Sequence, residues 1–501
     1  MTKKQYRPWN PDQAYLIAPT PRDWLPEGHL AYFILEVVAE LDLSGIEQAI
    51  QAKDPRGQQP YHPQMMVALL LYSYCTGTFS SRRIALATYE DVATRFISGD
   101  QHPFFTRVAA FRRDHLAALG QLFVQAVQLC ARAGLVKLGH VSLDGTKIKA
   151  NASKHQAMSY DRMKKEEQRL KEEIAALLAR AESADAEEDA QFGSDSDGTD
   201  IPVELRHRES RLARIREAKA ALEAEARAAR ASELRDQAAR NERIAAESPD
   251  TRKGRAAATN AKKRAEAADE LDPPRDDDPP EDPGAPTLPL HRPPTTPNGE
   301  PKGKAQRNFT DPDSRIMVDG TGSFVQAYNA QAAVDGDHQI IVATGVSNQP
   351  PDTEYLPPVV SQVEAIAGAR PAALTADAGY FSATNATWCE EQGIDAYLSV
   401  SRQRHGPAPP PSESPPPSEA TPKEKMAAKL DTKAGREMYR KRKTIPEPVF
   451  GQIKEARGFR RFLLRGLGSV RHEWDLVCAT HNLLKLFRAS PEGRLDLQPA
   501  G

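Results

Sequence analysis

The sequence lacks the long apolar runs and paired cysteines that mark membrane and disulfide-bonded proteins. No stretch approaches the roughly 18 apolar residues that span a bilayer, and the start MTKKQYRPWNPDQ lacks the plan of a signal peptide. We therefore expect a cytoplasmic protein with no membrane partner. The cysteines stand singly in apolar surroundings, without the spacing of a zinc site: Cys75, Cys130, Cys389 and Cys478. We expect all of them to be small buried hydrophobic residues.

The chain also lacks an overall excess of positive charge, because its formal net charge is -2. This average hides a strong local asymmetry. Between Lys433 and Arg471 there are 12 Lys or Arg against 3 Glu, a net of +9, while acidic runs elsewhere cancel it. A basic segment attracts phosphates whatever distant, screened loops carry, so this segment is a candidate DNA contact.

Apolar periodicity divides the folded part of the chain into two kinds of structure. Residues 1–135 have helical spacing and predict an all-helical N-terminal domain. Residues 136–155 contain GHVSLDGTKIKAN, typical of a buried strand that ends in an acidic turn. Residues 306–404 predict a hairpin turning at Asp335 and Gly336, a helix from about Glu354 to Ala367, and a strand ending at Asp377. The predicted fold class is α+β, with a mixed α/β catalytic domain after the helical one.

Two inserts interrupt this order. Residues 156–305 begin with apolar residues at heptad spacing, in one arm with Met163, Leu170, Ile174, Leu177 and Ala181 and another with Leu205, Leu212, Ile215 and Leu222. An acidic loop over about 182–200 favours a helical hairpin over a dimerising coiled coil. Pro-rich composition predicts flexible linkers over about 270–305 and over 405–430, with basic catalytic helices following over 431–490.

Three carboxylates stand at the ends of separate predicted core elements: Asp144, Asp377 and Glu447. A phosphodiester repels nucleophiles, so two divalent ions about 3.5–4 Å apart are used to activate the attacking oxygen and stabilise the leaving one. Magnesium prefers hard oxygen ligands and keeps several waters, so a few carboxylates suffice. The spacing therefore predicts a site for two Mg²⁺ or Mn²⁺ ions.

Each of these acids also has a purely structural interpretation. Asp144 could be a turn residue, Asp377 could end a strand, and Glu447 could start a helix. The DGT triplet also occurs in phosphatases of the haloacid-dehalogenase type, but Ser142 stands where their nucleophilic Asp should be. Asp352 could hydrogen-bond near the site, yet its DTE string equally suits a helix cap, so it stays outside the triad.

Four strings in order, SLDGTKIKANAS, GSFVQAYNAQAAVD, TADAGYFS and YRKRKTIPEPVFGQIK, resemble the bacterial insertion-sequence DDE transposases, nearest to insertion-sequence group eleven-eighty-two. The resemblance implies a ribonuclease-H-like catalytic domain in which Asp144, Asp377 and Glu447 are the first, second and third metal-binding carboxylates. Residues 1–135 resemble the N-terminal domain of these transposases in YHPQMM, TFSSRRIA and FRRDH.

The resemblance also implies a set of DNA contacts. The C-terminal signature of Tyr, a basic residue, Glu and Lys matches Tyr439, Glu447 and Lys454, and the basic position is either Arg442 or Lys443. After Lys454, phosphates would be held by Arg457, Arg460 and Arg461. Two arginine pairs of the N-terminal domain could contact phosphates of the element ends or could simply be solvated on helix surfaces: Arg82, Arg83, Arg112 and Arg113.

The predicted function is therefore DNA transposition. Metal-dependent hydrolysis of a phosphodiester at an element end frees a 3′-hydroxyl, which attacks target DNA. The predicted partners are double-stranded DNA, both terminal inverted repeats and target, and a second subunit, since two ends must be paired. Two rival functions are a DNA-binding descendant without chemistry and a structural coiled-coil protein. The coiled-coil interpretation leaves the strands and their acidic ends unexplained.

Overall fold

The computed structural model describes residues 20–53, 59–192, 203–273, 288–401, 411 and 419–497. The acidic loop sequence SDSDGTD and most of the Pro-rich stretch over 405–418 lie outside these residues. Within the described residues, no helix combines the length and apolar character needed to cross a membrane.

The described N-terminal region is helical throughout. Its helices are α1 (Leu30–Glu40), α2 (Ser44–Gln51), α3 (Pro63–Cys75), α4 (Ser81–Glu90), α5 (Val92–Ser98), α6 (Phe105–Asp114) and α7 (Leu116–Arg132). α3 is buried along its whole length from Met66, because apolar side chains cover all its faces. The predicted helical character of this region is confirmed.

The strands are β1 (His140–Lys149), β2 (Ala157–Ser159), β3 (Gln306–Asn308), β4 (Arg315–Val318), β5 (Phe324–Asp335), β6 (Ile341–Ser347), β7 (Ala373–Ala376) and β8 (Asp395–Leu398). The main sheet has the order β4-β5-β1-β7-β8, with β6 also paired to β5. β5 is antiparallel to β1 and to β6, whereas β7 and β8 run parallel to β1 and to each other. A small second sheet joins β2 and β3.

The insert between β2 and β3 is longer and more helical than the sequence suggested. It contains α8 (Tyr160–Phe192), α9 (Val203–Glu247) and α10 (Arg252–Leu271). Helix α8 occupies residues 182–192, which were expected to be loop. The first half of α9 packs against α8. Its second half packs against α10 through small buried residues such as Ala231 and Ala268.

Part of the predicted linker before β3 is ordered, which corrects the assignment of residues 270–305. Leu288 is buried in the main core, and the carbonyl oxygen of Pro289 accepts a hydrogen bond from Ser347 at 2.5 Å. Thr295 and Pro301 form a β-bridge. Proline content alone misled the prediction, because the contacts that order this segment come from strands far along the chain.

The remaining helices are α11 (Leu356–Ala367), α12 (Ala383–Glu391), α13 (Pro422–Asp431), α14 (Lys433–Thr444), α15 (Pro446–Gly451) and α16 (Leu467–Ala489), with a π-helical turn over Gln452–Ala456. Helix α13 occupies the end of the predicted linker over 405–430. α16 lies between the N-terminal helices and the sheet, and one continuous hydrophobic core runs from Ala31 to Leu486. The N-terminal helices therefore share their core with the sheet. The free cysteines are all buried, as expected.

Candidate active site

Asp144 and Asp377 lie side by side on neighbouring parallel strands. β1 continues to Lys149, so Asp144 is in the middle of a strand, which corrects the expectation of an acidic turn. Leu143 stands opposite Ala376, the last residue of β7. Asp377 follows that residue directly, next to Asp144. The sheet thus brings together two of the three carboxylates that the sequence indicated.

The carboxylate of Asp144 is in an unfavourable place for a negative charge. Its side chain is only 17% exposed. The pKa of Asp144 is raised to about 6, chiefly by burial. The Arg442 guanidinium lowers this pKa, and the charges of Asp377 and Asp352 contribute to the rise. One oxygen accepts a hydrogen bond from the Gly145 amide at 2.8 Å. A bound cation would relieve this crowding of negative charge.

Asp352 is a third carboxylate of this cluster, and the sequence argument left it out. The N-cap of α11 is Tyr355, with no side-chain capping bond, so the capping role considered for Asp352 is wrong. Instead its Oδ1 accepts hydrogen bonds from Asn329 Nδ2 at 2.6 Å and Gln331 Nε2 at 2.9 Å. Lys147 Nζ lies 3.5 Å from the same oxygen. The sequence signal for Asp352 was the pair of side-chain amides on β5, Asn329 and Gln331, because buried amides need a hydrogen-bond acceptor.

Two glycines allow these groups to approach. A Cβ at Gly379 would lie 3.0 Å from Asp377 Oδ1 and 3.3 Å from Asp352 Oδ2, so the two carboxylates flank its backbone. The Gly379 amide also donates to Asp377 Oδ1 at 2.8 Å. A Cβ at Gly145 would collide with the Gln331 amide. Both positions keep the backbone bare where polar side chains must pack against it.

Three cations border the carboxylates. Arg442 Nη1 lies 3.5 Å from Asp144 Oδ2, and its guanidinium lies over the Tyr439 ring, 5.6 Å from the centroid. Lys454 Nζ donates a hydrogen bond to Thr146 Oγ1, two residues beyond Asp144. Lys147 is held by Asp352 and by the carbonyl oxygen of Pro350 at 3.0 Å. Of the two basic candidates in the C-terminal signature, Arg442 faces the site and Lys443 is exposed.

Glu447 is on the helix that borders the site, but it is not part of the cluster. It is the second residue of α15 and is exposed. In the part of the chain that the structure describes, no three acidic side chains stand close enough to hold a metal ion, so Glu447 does not complete a set with Asp144 and Asp377. The π-helical turn between Gln452 and Ala456 also alters the spacing from Glu447 to Lys454, which the sequence argument took as two α-helical turns.

Two predicted DNA contacts are inside the protein. Arg112 is 7% exposed and donates to Tyr74 Oη and the Phe79 carbonyl oxygen, both at 3.0 Å. Arg457 is 8% exposed and donates to Thr480 Oγ1 at 2.8 Å. These side chains hold helices together, which corrects their assignment as phosphate contacts. Five other candidates are exposed on the surface: Arg82, Arg83, Arg113, Arg460 and Arg461.

The chemistry of the donors suits a divalent metal ion, although a full ligand set is not assembled. Among the described residues, no three His, Cys, Asp or Glu side chains stand together as a metal site. Asp144 and Asp377 supply adjacent carboxylates, and Mg²⁺ accepts few protein oxygens because it keeps waters. The buried charge of Asp144 is the observation that fits such an ion. Asp144 and Asp377 would hold it. Asp352 Oδ1 is already bound by Asn329, Gln331 and Lys147, so a third metal-binding carboxylate is still to be supplied.

Two regions of the chain match transposase domains. Residues 295–483 match the family model of the Transposase DDE domain, and residues 19–114 match that of the Transposase domain (DUF772). Both models describe transposase domains, and the two matches are consistent with a DDE transposase of an insertion sequence. The DDE match contains Asp352, Asp377 and Glu447 and leaves out β1 with Asp144. Comparisons with curated proteins and with solved structures found no match. Membership of group eleven-eighty-two stays a prediction.

Proposed function

We propose that this protein is a transposase that cuts DNA at the ends of an insertion sequence and joins the freed ends to target DNA. The observation that carries the proposal is the pair of neighbouring carboxylates, Asp144 and Asp377, bordered by Arg442 and Lys454 on a surface segment of strong positive charge. Acids beside a concentration of cations suit a phosphodiester, which needs both its charge neutralised and its phosphorus attacked.

The reaction has two balanced steps. In the first, a water oxygen forms a bond to phosphorus at the element end, the P–O3′ bond breaks, and the departing 3′-oxygen takes up a proton. In the second, that 3′-hydroxyl loses its proton and its oxygen forms a bond to a phosphorus of target DNA, while the target P–O3′ bond breaks and the departing target 3′-oxygen takes up a proton. Divalent ions, Mg²⁺ or Mn²⁺ and two in number, would supply activation of the attacking oxygen and charge stabilisation at the leaving one.

The residues of the chain have separate roles in this proposal. Asp144 and Asp377 would hold the ions. Glu447, the second residue of α15, would be the third metal-binding carboxylate. Arg442 and Lys454 neutralise the phosphate next to Asp144, where the stacked ring of Tyr439 keeps the guanidinium in place. Exposed Lys443, Arg460 and Arg461 contact the flanking backbone, and Arg82, Arg83 and Arg113 contact the element end.

Cleavage and strand joining of DNA test the proposal. The substrate is a labelled fragment carrying the genomic sequences that flank the coding region, incubated with the full chain and Mg²⁺ or Mn²⁺. We expect nicks at discrete positions and joined products from the native chain, and at least a 100-fold loss of cleavage in Glu447→Gln with binding retained. Cleavage at the native rate by Glu447→Gln would remove Glu447 from the site.

A DNA-binding protein that has lost the chemistry is the rival function. The exposure of Glu447, away from the two aspartates, is the observation that favours it. The crowding at Asp144 weighs against it, because a retired site gains nothing from burying several acids close together. Binding of the flanking DNA without any cleavage in Mg²⁺ or Mn²⁺ would make the rival the better description.

A further inference from the structure

The far end of the helical insert carries many more cations than acids. Residues 240–264, where α9 ends and α10 begins, contain eight Lys or Arg against three Asp or Glu, a net of +5. The exposed cations among them are here named the basic tip: Arg240, Arg243, Arg252, Lys253, Arg255, Lys262 and Lys263. Within the described part of the chain, only one ion pair includes a residue of the basic tip: Lys262 with Glu266, at 4.0 Å.

The other end of the same insert is arranged differently. Where α8 packs on α9, Glu166 and Glu167 pair with cations of both helices: Arg169, Lys171, Arg211, Arg216 and Lys219. Opposite charges are thus matched along the α8–α9 contact. The lack of matching at the basic tip is a local feature of α9 and α10, and it is not a general property of a charge-rich helical segment.

The end of α9 and the start of α10, which carry most of the basic tip, extend beyond the part of α9 that is fastened to the core. Glu225 of α9 is paired with Arg307 and Arg315, and Asp236 is paired with Arg292 at 3.2 Å. From Asp236 the helix continues to Glu247, a further length of about 16 Å at 1.5 Å per residue.

Small residues make this extension a close-packed helix pair. Alanines lie between α9 and α10 and are buried, among them Ala238, Ala257 and Ala261. Side chains this short let the two helices approach closely, so the pair holds the cations on a defined surface.

Like charges held this close repel one another, and the first turn of α10 adds to the cost. Arg252, Lys253 and Arg255 lie at the end of the helix where the peptide dipoles favour acids, and no acid occupies that turn. A polyanion relieves this repulsion, and a duplex supplies phosphates at regular spacing along an extended surface. Side chains of Lys and Arg without partners are free to contact it.

We propose that the basic tip binds the phosphate backbone of duplex DNA. This inference rests on the transposase function proposed above and adds a second DNA contact to the active-site segment. Contacts with phosphates carry no base specificity, so the basic tip binds duplexes of any sequence.

The test compares two variants of the full chain that lose the same charge. The tip variant carries Arg243→Gln, Arg252→Gln, Lys253→Gln and Lys263→Gln. The control variant carries Lys171→Gln, Arg211→Gln, Arg216→Gln and Lys219→Gln, all on the paired face of α8 and α9. Circular dichroism establishes that both stay helical. Binding to a random-sequence duplex is measured by fluorescence anisotropy over a series of salt concentrations.

We expect the slope of log K against log salt to fall by about 0.9 for each tip residue that contacts a phosphate, with the native slope in the control variant. An unchanged slope in the tip variant overturns the inference. If the tip variant also loses self-association in sedimentation, the partner of the basic tip is a second copy of the chain. Cleavage by the native chain is a separate readout, so an inactive chain that binds through the tip refutes the proposed function alone.

Discussion

Ionisation of Asp144 lowers the free energy of unfolding. Its pKa is raised to about 6, above the ordinary 3.8, chiefly by burial, so the folded state binds its proton more tightly than the unfolded state. The free energy of unfolding therefore falls as pH rises from about 4 to about 6, and the whole cost is present at pH 8. A site built to hold a cation has this property when the cation is absent.

Replacing Asp144 by Asn is expected to stabilise the metal-free protein. In EDTA at pH 8, Asp144→Asn should raise the free energy of unfolding by on the order of 1–3 kcal/mol, measured by urea denaturation. The gain should shrink toward zero at pH 4. The control is Asp337→Asn, on the exposed turn between β5 and β6, where a change within about 0.5 kcal/mol is expected. A destabilised Asp144→Asn at pH 8 contradicts the electrostatic description.

Asp352 should behave in the opposite way, although it belongs to the same cluster. Its carboxylate accepts two amide hydrogen bonds and pairs with Lys147, and both charged side chains are no more than 20% exposed. Asp352→Asn leaves that ammonium without its counter-charge and should lower the free energy of unfolding by about 1–3 kcal/mol.

A double-mutant cycle tests the origin of this loss. Combining Asp352→Asn with Lys147→Met should show a coupling energy of at least about 0.5 kcal/mol, because the two side chains are in contact. Strictly additive losses would mean that Lys147 and Asp352 are not an effective pair.

At the scale of elements, Glu473 of α16 organises the loop after the π-helical turn. Its carboxylate is fully buried and accepts hydrogen bonds from the amides of Leu463, at 3.1 Å, and Leu464, at 3.0 Å. Burial raises the pKa of Glu473 to about 7, against the lowering effect of those amides and of Arg112. This acid links α6, α16 and the loop that carries Arg460 and Arg461.

The raised pKa of Glu473 predicts a pH-dependent stability. Because the folded state binds this proton more tightly, the contribution of Glu473 falls as pH rises from about 4.5 through 7. Relative to the native chain, Glu473→Gln should therefore gain on the order of 1–3 kcal/mol in free energy of unfolding between pH 5 and pH 8. Glu473→Ala should be destabilised at both, since it leaves the amides without an acceptor. A pH-independent difference between native and Glu473→Gln refutes this assignment.

The elements explain how far the sequence could predict the site. Asp144 and Asp377 were found because each follows a short buried apolar run, and such runs pair side by side in a sheet. Asp352 lies in a loop whose partners, Asn329 and Lys147, are on other strands, so the spacing of nearby residues carried no signal. Arg112 was misassigned because a basic residue type does not reveal whether its guanidinium meets solvent or a buried carbonyl oxygen.

At the scale of the whole molecule, the N-terminal helices and the sheet form one unit that carries one candidate active site. The N-terminal helices and the sheet share one hydrophobic cluster, with α16 between them. Transposition needs two element ends, and one chain presents one pair of neighbouring aspartates, Asp144 and Asp377. We therefore expect at least two subunits on paired ends, and analytical ultracentrifugation of the DNA complex measures the number. One subunit bound to two ends contradicts this expectation.

The most direct test of the account is metal-dependent DNA cleavage by a chain altered at Asp377. Native protein, Asp377→Asn and the control Asp337→Asn are compared on the labelled flanking DNA with Mg²⁺, with binding measured in parallel. The account predicts that the native chain and Asp337→Asn cut, while Asp377→Asn binds the DNA and is at least about 100-fold slower. Native-rate cleavage by Asp377→Asn would contradict the claim that the neighbouring aspartates of β1 and β7 form the active site.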